Sequence, residues 1–564
     1  MSFNAFLLQS IAVELNKTIR GARVEKIHQP ENATLTLELR LPGRHLSLLL
    51  SAHPVLARFY LTEYKFTNPI VPSSFCMLLR KHLEKYRLDT ITSVTFERIV
   101  RLDFSREEDY GRSREKKSLI LEIMGKHSNL ILVDESDVII DAYYRIDESK
   151  SRVRQVLPKL AYTLPPEQKK ISPDKLTVKQ LAWFLEVADP SNLAKALVKN
   201  IKALSPELAE QIIRVVYNPK ENPDAILNIL QQLQQKASGG LLVPTIQNNE
   251  LSFYPLAEGS VNQVVDQFYT GIYLNEKTAH IKRSLTTSLN AQIERVDKKL
   301  DLRNDAHQQA LLADDLRKKG DLLTASLYLL QRGEYLAKIP DYYTEGQPLI
   351  EIELNPRLGP NENAQSYYKR YNKARSALKS LDKLLTETKT ELDYLKEVRG
   401  LIEAAKDLDD LDSLTDELIK EGYIKEKITK QVTRSKDQKT VIKPRCFLTS
   451  SGKEIVVGRN NKQNDAIRRQ NSGDFVWFHA QKIPGSHVVL KDNNPSDNDL
   501  HLAATLAAIF SKGSTDSYVA VDSARLKHVR KPSGAKPGFV LYDNERTFII
   551  SPDESIFTQL KVIE

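Results

Sequence analysis

Two seams of apolar residues at helical spacing, one on each side of a strand-and-turn interruption, constrain this chain more than any other feature. Leu289, Ile293, Val296 and Leu300 recur in steps of four and three, and Leu378, Leu381, Leu385, Thr388, Leu392, Leu395 and Ile402 in steps of three, four and seven. A stripe of this kind stays turned toward a partner helix over many turns, as in a coiled coil. Between the seams, DYYTEGQPLIEIELNPRLGP carries strand and turn signals, so the two helices are expected to fold back as an antiparallel hairpin. Forty helical residues span about 60 Å at 1.5 Å each, a length that serves reach rather than catalysis. Homodimerisation through the same seam is the competing reading.

The rod divides the 564 residues into a multidomain α+β chain, in keeping with about 150 residues per domain. In 1–173 the segment MSFNAFLLQSIAVELNK reads as an amphipathic helix, and LTLELRL, SLILEIMG and NLILVD as strands, the last two joined by the turn KHS. Prolines 158, 165, 166 and 173 punctuate a connector. A small helical domain is expected over 174–277, where NIKALSPELAEQI has the shape of a helix-hairpin-helix whose turn amides hold a backbone phosphate. Ala203 stands where that turn usually has glycine, and simple helix packing is the alternative. The rod occupies 278–433. The span 434–564 holds most of the Lys-rich linker KEKITKQVTRSKDQKTVIKP and then strands around the helix HLAATLAAIFSK, a second α+β unit.

Catalytic constellations are missing. The chain has no GxGxxG and no GxxxxGK[ST], and Ser451-Gly452-Lys453 is followed by Glu454. There is no GxSxG elbow and no HExxH. Cys76 and Cys446, far apart, rule out a disulfide framework and a thiolate zinc site of ordinary spacing. No cofactor and no metal are expected. The absence of a run of about 20 apolar residues, a signal peptide or a lipid anchor leads to the expectation of a cytoplasmic protein without a membrane partner.

Charge points elsewhere. The chain carries 82 Lys+Arg against 73 Asp+Glu, a net +9, and from Arg434 onward the count is 20 against 14. A polyanion partner is therefore best sought in the last quarter. There, GRNNKQNDAIRRQ and DFVWFHAQKIPGSHVVL combine cations, paired amides and rings, the means of neutralising phosphate, reading base edges and stacking on looped RNA. The candidate contacts are Arg459, Asn460, Asn461, Asn464, Arg468, Trp477, His479, Lys482 and His487. Strand alternation requires about half of Val476–His479 to face the core, and an Asn-rich turn can be merely a turn. The Pro/Gly-stiffened loop Lys527–Gly538 adds four cations and a histidine, or simply solvated charge. In the first domain, Glu97-Arg98 follows a strand-like segment, and Glu122-Ile123-Met124-Gly125-Lys126-His127 ends another. An acid beside an arginine can read base edges, with a surface salt bridge as the competing reading.

The phrases LLSAHPVLARFYLTEYKFTNP, FCMLLRKHLE, EIMGKHSNLILVD, RVRQVLP, GDLLTASLY, NENAQSYYKRYNKA, GRNNKQNDAIRR, WFHAQKIPGSHVVL, HLAATLAAIFSK and KPSGAKPGFV resemble the NFACT proteins, in order and nearly end to end. The resemblance implies an NFACT-N domain shaped like a formamidopyrimidine-type DNA glycosylase (1–173), a helix-hairpin-helix domain (174–277), a middle antiparallel coiled coil (278–433) and a C-terminal NFACT-R RNA-binding domain after the linker (434–564). It implies a ribosome quality control factor that binds the large ribosomal subunit obstructed by peptidyl-tRNA. The rod would reach the stalk base, and alanyl-tRNA would be recruited for template-independent alanine tailing. A small RNA-binding partner of the RqcP type is implied as well. Catalysis would stay with the ribosome, the chain lowering the entropic cost of bringing two tRNAs together. The family's Asp-Arg pair falls on Glu97-Arg98, with glutamate one methylene longer, and its Glu-Ile-Met stretch falls on Glu122, Ile123 and Met124, all as tRNA contacts. Glycosylase chemistry is not implied, because those enzymes use an N-terminal proline and this chain reads Met1-Ser2-Phe3. The family's older name suggests the alternative, a surface adhesin with fibronectin as its partner.

Overall fold

The computed structural model describes residues 3–107, 114–425 and 442–563. They form two compact units, Met1–Tyr273 and Leu274–Glu564. Most of the Lys-rich linker, 426–441, lies outside the described residues.

In the first unit the Asn4 side chain accepts a hydrogen bond from Leu7 N at 2.9 Å and so starts helix α1 (Ala5–Ile19). Phe6, Leu7, Leu8, Ile11, Leu15 and Ile19 are at most 1% exposed. The amphipathic pattern understated this burial, because a sheet lies along one flank of α1 and helix α6 along another. The sheet strands are β1 (Arg23–Glu31), β2 (Thr34–Leu41), β3 (Arg44–Ser51), β4 (Arg58–Thr62), β5 (Arg87–Ser93), β6 (Ile99–Glu107), β7 (Arg114–Glu122), β8 (Asn129–Asp134) and β9 (Ile139–Ala142). Their order is β4-β3-β2-β1-β5-β6-β7-β8-β9, antiparallel throughout. Helix α2 (Ser74–Leu83) bridges the two meanders. The KHS turn closes the β7–β8 hairpin where Glu122 faces Asn129.

Helices α3 (Val178–Val187), α4 (Leu193–Asn200), α5 (Pro206–Val215) and α6 (Pro223–Gly239) follow, then the hairpin β10 (Thr245–Gln247) and β11 (Glu250–Ser252). Thr177 and Gln180 form a reciprocal cap at the start of α3, and Ser205 caps α5. Leu181, Leu197, Leu208, Ile212, Ile226 and Leu230 join the core of the sheet without a break.

The second unit contains most of helix α7 (Val261–Leu311), then α8 (Ala313–Ala325), the hairpin β12 (Leu336–Pro340) and β13 (Leu349–Glu353), α9 (Pro360–Ala404) and α10 (Leu408–Lys420). The 45 residues of α9 extend about 68 Å at 1.5 Å per residue. Lys282 meets the Glu403 carbonyl, Lys299 meets Glu391, Arg303 meets Leu384 and Thr388, and His307 meets Asp382. Numbers rise along α7 as they fall along α9, so the pair runs antiparallel. Its buried seam unites Ile281, Leu285, Leu289, Ile293 and Val296 with Leu392, Leu395, Val398 and Ile402. Leu411, Leu414 and Leu418 of α10 cover that end, while Leu378, Leu381 and Leu385 farther along remain half-exposed.

The chain then builds a second sheet from β14 (Arg445–Leu448), β15 (Glu454–Val457), β16 (Val476–Ala480), β17 (Val488–Leu490), β18 (Val519–Arg525), β21 (Arg546–Ile550) and β22 (Lys561–Ile563). Between these come α11 (Asn461–Gln470), α12 (Asp497–Ile509) and the short pair β19 (Val529–Arg530) and β20 (Leu541–Tyr542). The order is β21-β18-β16-β17-β15-β14-β22. Helix α12 packs its alanine-rich length against one face, with Phe478, Val488 and Leu490. The other face buries Val456, Trp477 and Val489 against Ile467 of α11.

Candidate nucleic-acid interface

Adjacent strand ends bring the two expected tRNA-reading stretches together. Ile99 of β6 pairs with Glu122 of β7, and Ile123 N donates to the Arg98 carbonyl at 2.8 Å. Phe96, in the turn before β6, takes a left-handed φ of +60° and packs edge-on against Phe6 at 6.4 Å. A bulky residue in that region costs of order 1–3 kcal/mol and persists only where packing dictates it. Here it directs Glu97 and Arg98 into a cleft of about 1060 Å³, which Met124 and Glu122 also line. Ile123 is 3% exposed and contributes its backbone alone.

Glu122 departs from the expectation of a direct contact. It is 2% exposed, and its oxygens accept from Arg154 at 2.9 and 2.6 Å and from the Tyr162 hydroxyl at 2.9 Å. Burial works against the charge of Arg154, but Glu122 holds its pKa above the usual value, and burial beside Glu122 pushes the Tyr162 phenol up. A buried fork of this kind costs several kcal/mol to break, so Glu122 forms the wall of the cleft and does not reach into it. Arg98 is the opposite case. Burial lowers its pKa while Glu97 and Glu207 oppose the shift, and no hydrogen bond or ion pair engages its guanidinium among the described residues. Glu97 has Lys202 at 4.0 Å.

The start of α5 forms another side of the cleft through Ala203, Leu204, Ser205 and Pro206. Ala203 holds the left-handed conformation, φ +69°, that glycine would adopt without strain. Sequence reasoning missed the other cations here: Lys126, Arg145, Lys150, Arg154, Lys170 and Lys202 join Arg98, against the acids Glu97, Glu122 and Glu207. Nothing local marks them, because they come from separate loops over residues 126–202. Their charge is partly held, Arg145 by Asp141 at 2.8 Å and Lys202 by Glu167 at 2.7 Å. Burial and the neighbouring Arg98 lower the pKa of Lys170.

In the second unit, five of the expected RNA contacts are buried. Asn460, Asn461, Asn464, Trp477 and His487 are between 0 and 7% exposed. Asn460 caps α11 and donates to the Ser413 hydroxyl at 2.6 Å, Asn461 N donates to Glu417 at 3.0 Å, and Asn464 accepts from His487 N at 3.1 Å. Trp477 stacks on His479 at 5.8 Å and abuts Tyr542 at 4.9 Å, so its faces are covered. Burial lowers the pKa of His479 to about 4 and keeps it neutral. Arg459 pairs with Asp407 and Asp410, each at 3.0 Å. Lys482 is exposed, at φ +55°, and Arg468 partly so. Among the described residues no metal-binding cluster occurs, and no helix is long and apolar enough to cross a membrane.

The folds and charge distribution define a multidomain protein with a cationic cleft in one unit and a basic α+β domain in the other. The family model for NFACT N-terminal and middle domains matches residues 4–438, and that for the NFACT protein RNA binding domain matches 445–537. The chain belongs to the RqcH branch of the NFACT family. The Rqc2 homolog RqcH of Bacillus subtilis is 32% identical over 584 residues, covering 100% of both chains. The ribosome quality control complex subunit NEMF of Homo sapiens is 27% identical over 215 residues, 37% of this chain and 18% of that one. Among solved structures, the N-terminal part of the fibronectin/fibrinogen-binding protein from Streptococcus suis is 29% identical, covers 48% of this chain and 100% of that chain, and has a TM-score of 0.40. Homologues bearing the RqcH and NEMF names support a role in ribosome quality control.

Proposed function

We propose that this chain acts in the cytoplasm on large ribosomal subunits obstructed by peptidyl-tRNA, recruiting alanyl-tRNA so that the ribosome extends the stalled chain with a template-independent alanine tail. In this reading, 1–173 and 174–277 together hold the incoming tRNA, the former with a glycosylase-like shape and the latter through a helix-hairpin-helix. The rod of 278–433 reaches the stalk base, and 434–564 binds RNA beside a small RqcP-like partner. The chain positions its substrates and leaves peptide bond formation to the ribosome.

The observation that carries the reading is Arg98, without a hydrogen bond or ion pair among the described residues, beside Glu97 in a cleft lined by seven cations and three acids. A guanidinium fork next to a carboxylate offers donors and acceptors to an unstacked base, and the surrounding cations suit its phosphates. The test is purification of tagged wild-type and Arg98→Ala protein from growing cells, with sequencing of all bound RNA. Arg98→Ala is expected to lower bound tRNA about tenfold, the loss of one fork contact, and to leave large-subunit RNA in place. Equal loss of both RNAs, or no loss of tRNA, refutes the assignment.

A further inference from the structure

Four cations of the RNA-binding domain, drawn from three segments, already face a row of acids from their own chain. Along α10 and its cap, Asp407, Asp410, Ser413, Glu417 and Glu421 recur in steps of three and four, which places them on one helical face over about 21 Å. Each meets the RNA-binding domain. Arg445 lies 2.9 Å from Asp407 and 2.5 Å from Asp410, and Arg459 lies 3.0 Å from both. Ser413 accepts from Asn460, Glu417 accepts from Asn461 N, and Glu421 holds Lys462 at 3.3 Å and Lys536 at 3.6 Å. Four cations of the domain, Arg445, Arg459, Lys462 and Lys536, are thus paired with three carboxylates, Asp407, Asp410 and Glu421, on one face of the helix.

The chemistry of exchange favours displacement. A guanidinium binds carboxylate and phosphate with the same fork geometry. The pairs at the margins of the face are open to water, with the Asp407 side chain 47% exposed and that of Lys462 36% exposed, and pairs of this kind contribute little net stability. A polyanion that takes these cations also gains by releasing counterions, whereas the acids return to water. Its cation side includes Arg459, a residue of the segment whose composition suits RNA contact.

We propose that the acidic face of α10 is an intramolecular stand-in for RNA, which must be displaced before Arg445, Arg459, Lys462 and Lys536 can bind the phosphates of a single-stranded or looped RNA. The inference rests on the match to an RNA-binding domain and does not depend on how tRNA is held in the first unit. The full-length protein then binds RNA with an apparent Kd equal to the intrinsic Kd divided by the fraction of time the helix is undocked.

The experiment uses full-length protein and a fluorescein-labelled 20-nucleotide oligouridine, read by anisotropy. The variants are Asp407→Asn/Asp410→Asn, the milder Glu421→Gln, and the charge-matched control Asp314→Asn/Asp315→Asn on α8. The fluorescence of buried Trp477 reports that the domain is folded. The double α10 variant is expected to bind three- to tenfold more tightly, Glu421→Gln about twofold more tightly, and the control no more than slightly so. Equal gains in the control and the α10 variants would reduce the effect to net charge and overturn the proposal. Unchanged or weaker binding in the α10 variants would show that the acids only hold the domain in place. If the double variant does not fold, Glu421→Gln, which alters only two partly exposed pairs, decides the question alone.

Discussion

Glu397 on α9 is the titrating group whose removal should leave the clearest signature. It faces Glu417 of α10, Asp465 of α11 and Lys531, and burial, reinforced by the two carboxylates and opposed by the lysine, raises its pKa from 4.5 to about 8. A carboxyl whose folded pKa is raised binds more protons in the native state, so its stabilising contribution is full below about 4.5 and is lost as pH climbs toward 8. At about 1.4 kcal/mol per unit, the full shift removes about 2.5 kcal/mol between pH 5 and pH 7, and partial solvent contact reduces this toward about 1 kcal/mol. Glu397→Gln keeps the shape and abolishes the titration. In a Trp183→Phe background, where Trp477 is the only tryptophan, urea unfolding followed by fluorescence should give wild-type stability that falls from pH 5 to pH 7. The Glu397→Gln curve should fall less steeply, and the difference should widen with pH in favour of the variant. A residual slope is expected, because burial also raises Glu417. Parallel wild-type and variant curves would refute the argument.

Two further substitutions test the cleft. Ala203→Gly removes a left-handed strain of about 1–2 kcal/mol and loses about 0.5–1 kcal/mol to the freer unfolded chain, so hydrogen exchange of the α4–α5 segment should slow by a net of about 0.5–1 kcal/mol. Faster exchange would mean that this strain estimate fails here. Arg154→Lys keeps the charge but not the fork on buried Glu122. A loss of about 2 kcal/mol should lower the melting temperature of the first unit by about 4–8 °C and weaken tRNA binding with it, whereas an unchanged melting temperature would show that one donor satisfies Glu122.

What the sequence disclosed and what it hid follow from the range of the forces involved. The β7–β8 hairpin was legible because alternation and a short turn lie within a few residues of each other. The seam through Leu289, Ile293, Leu392 and Leu395 was legible because a repeat held over many turns has one solution. The basic cleft was not, since Lys126, Lys170 and Lys202 are ordinary surface lysines until the fold converges them on Arg98.

The RNA-binding domain shows the sharper failure. Alternation in Val476–His479 called for about half of these side chains to face the core, yet Val476, Trp477 and Phe478 are all buried. The reason is that both faces of this antiparallel sheet are covered, by α12 on one side and by α11 with Tyr542 on the other, and a doubly covered strand loses its in-out pattern. The same covering explains Asn460 and Asn461. Read alone, an Asn-rich helix start next to arginines offers amides to a nucleic acid. In the fold the Asn460 amide donates to Ser413 and the Asn461 backbone N–H donates to Glu417, more than 40 residues earlier in the chain, on a helix whose acids also hold Arg459. A motif rich in RNA-binding groups therefore need not present them, and what uncovers the arginines and lysines is a competition that only the folded chain makes visible.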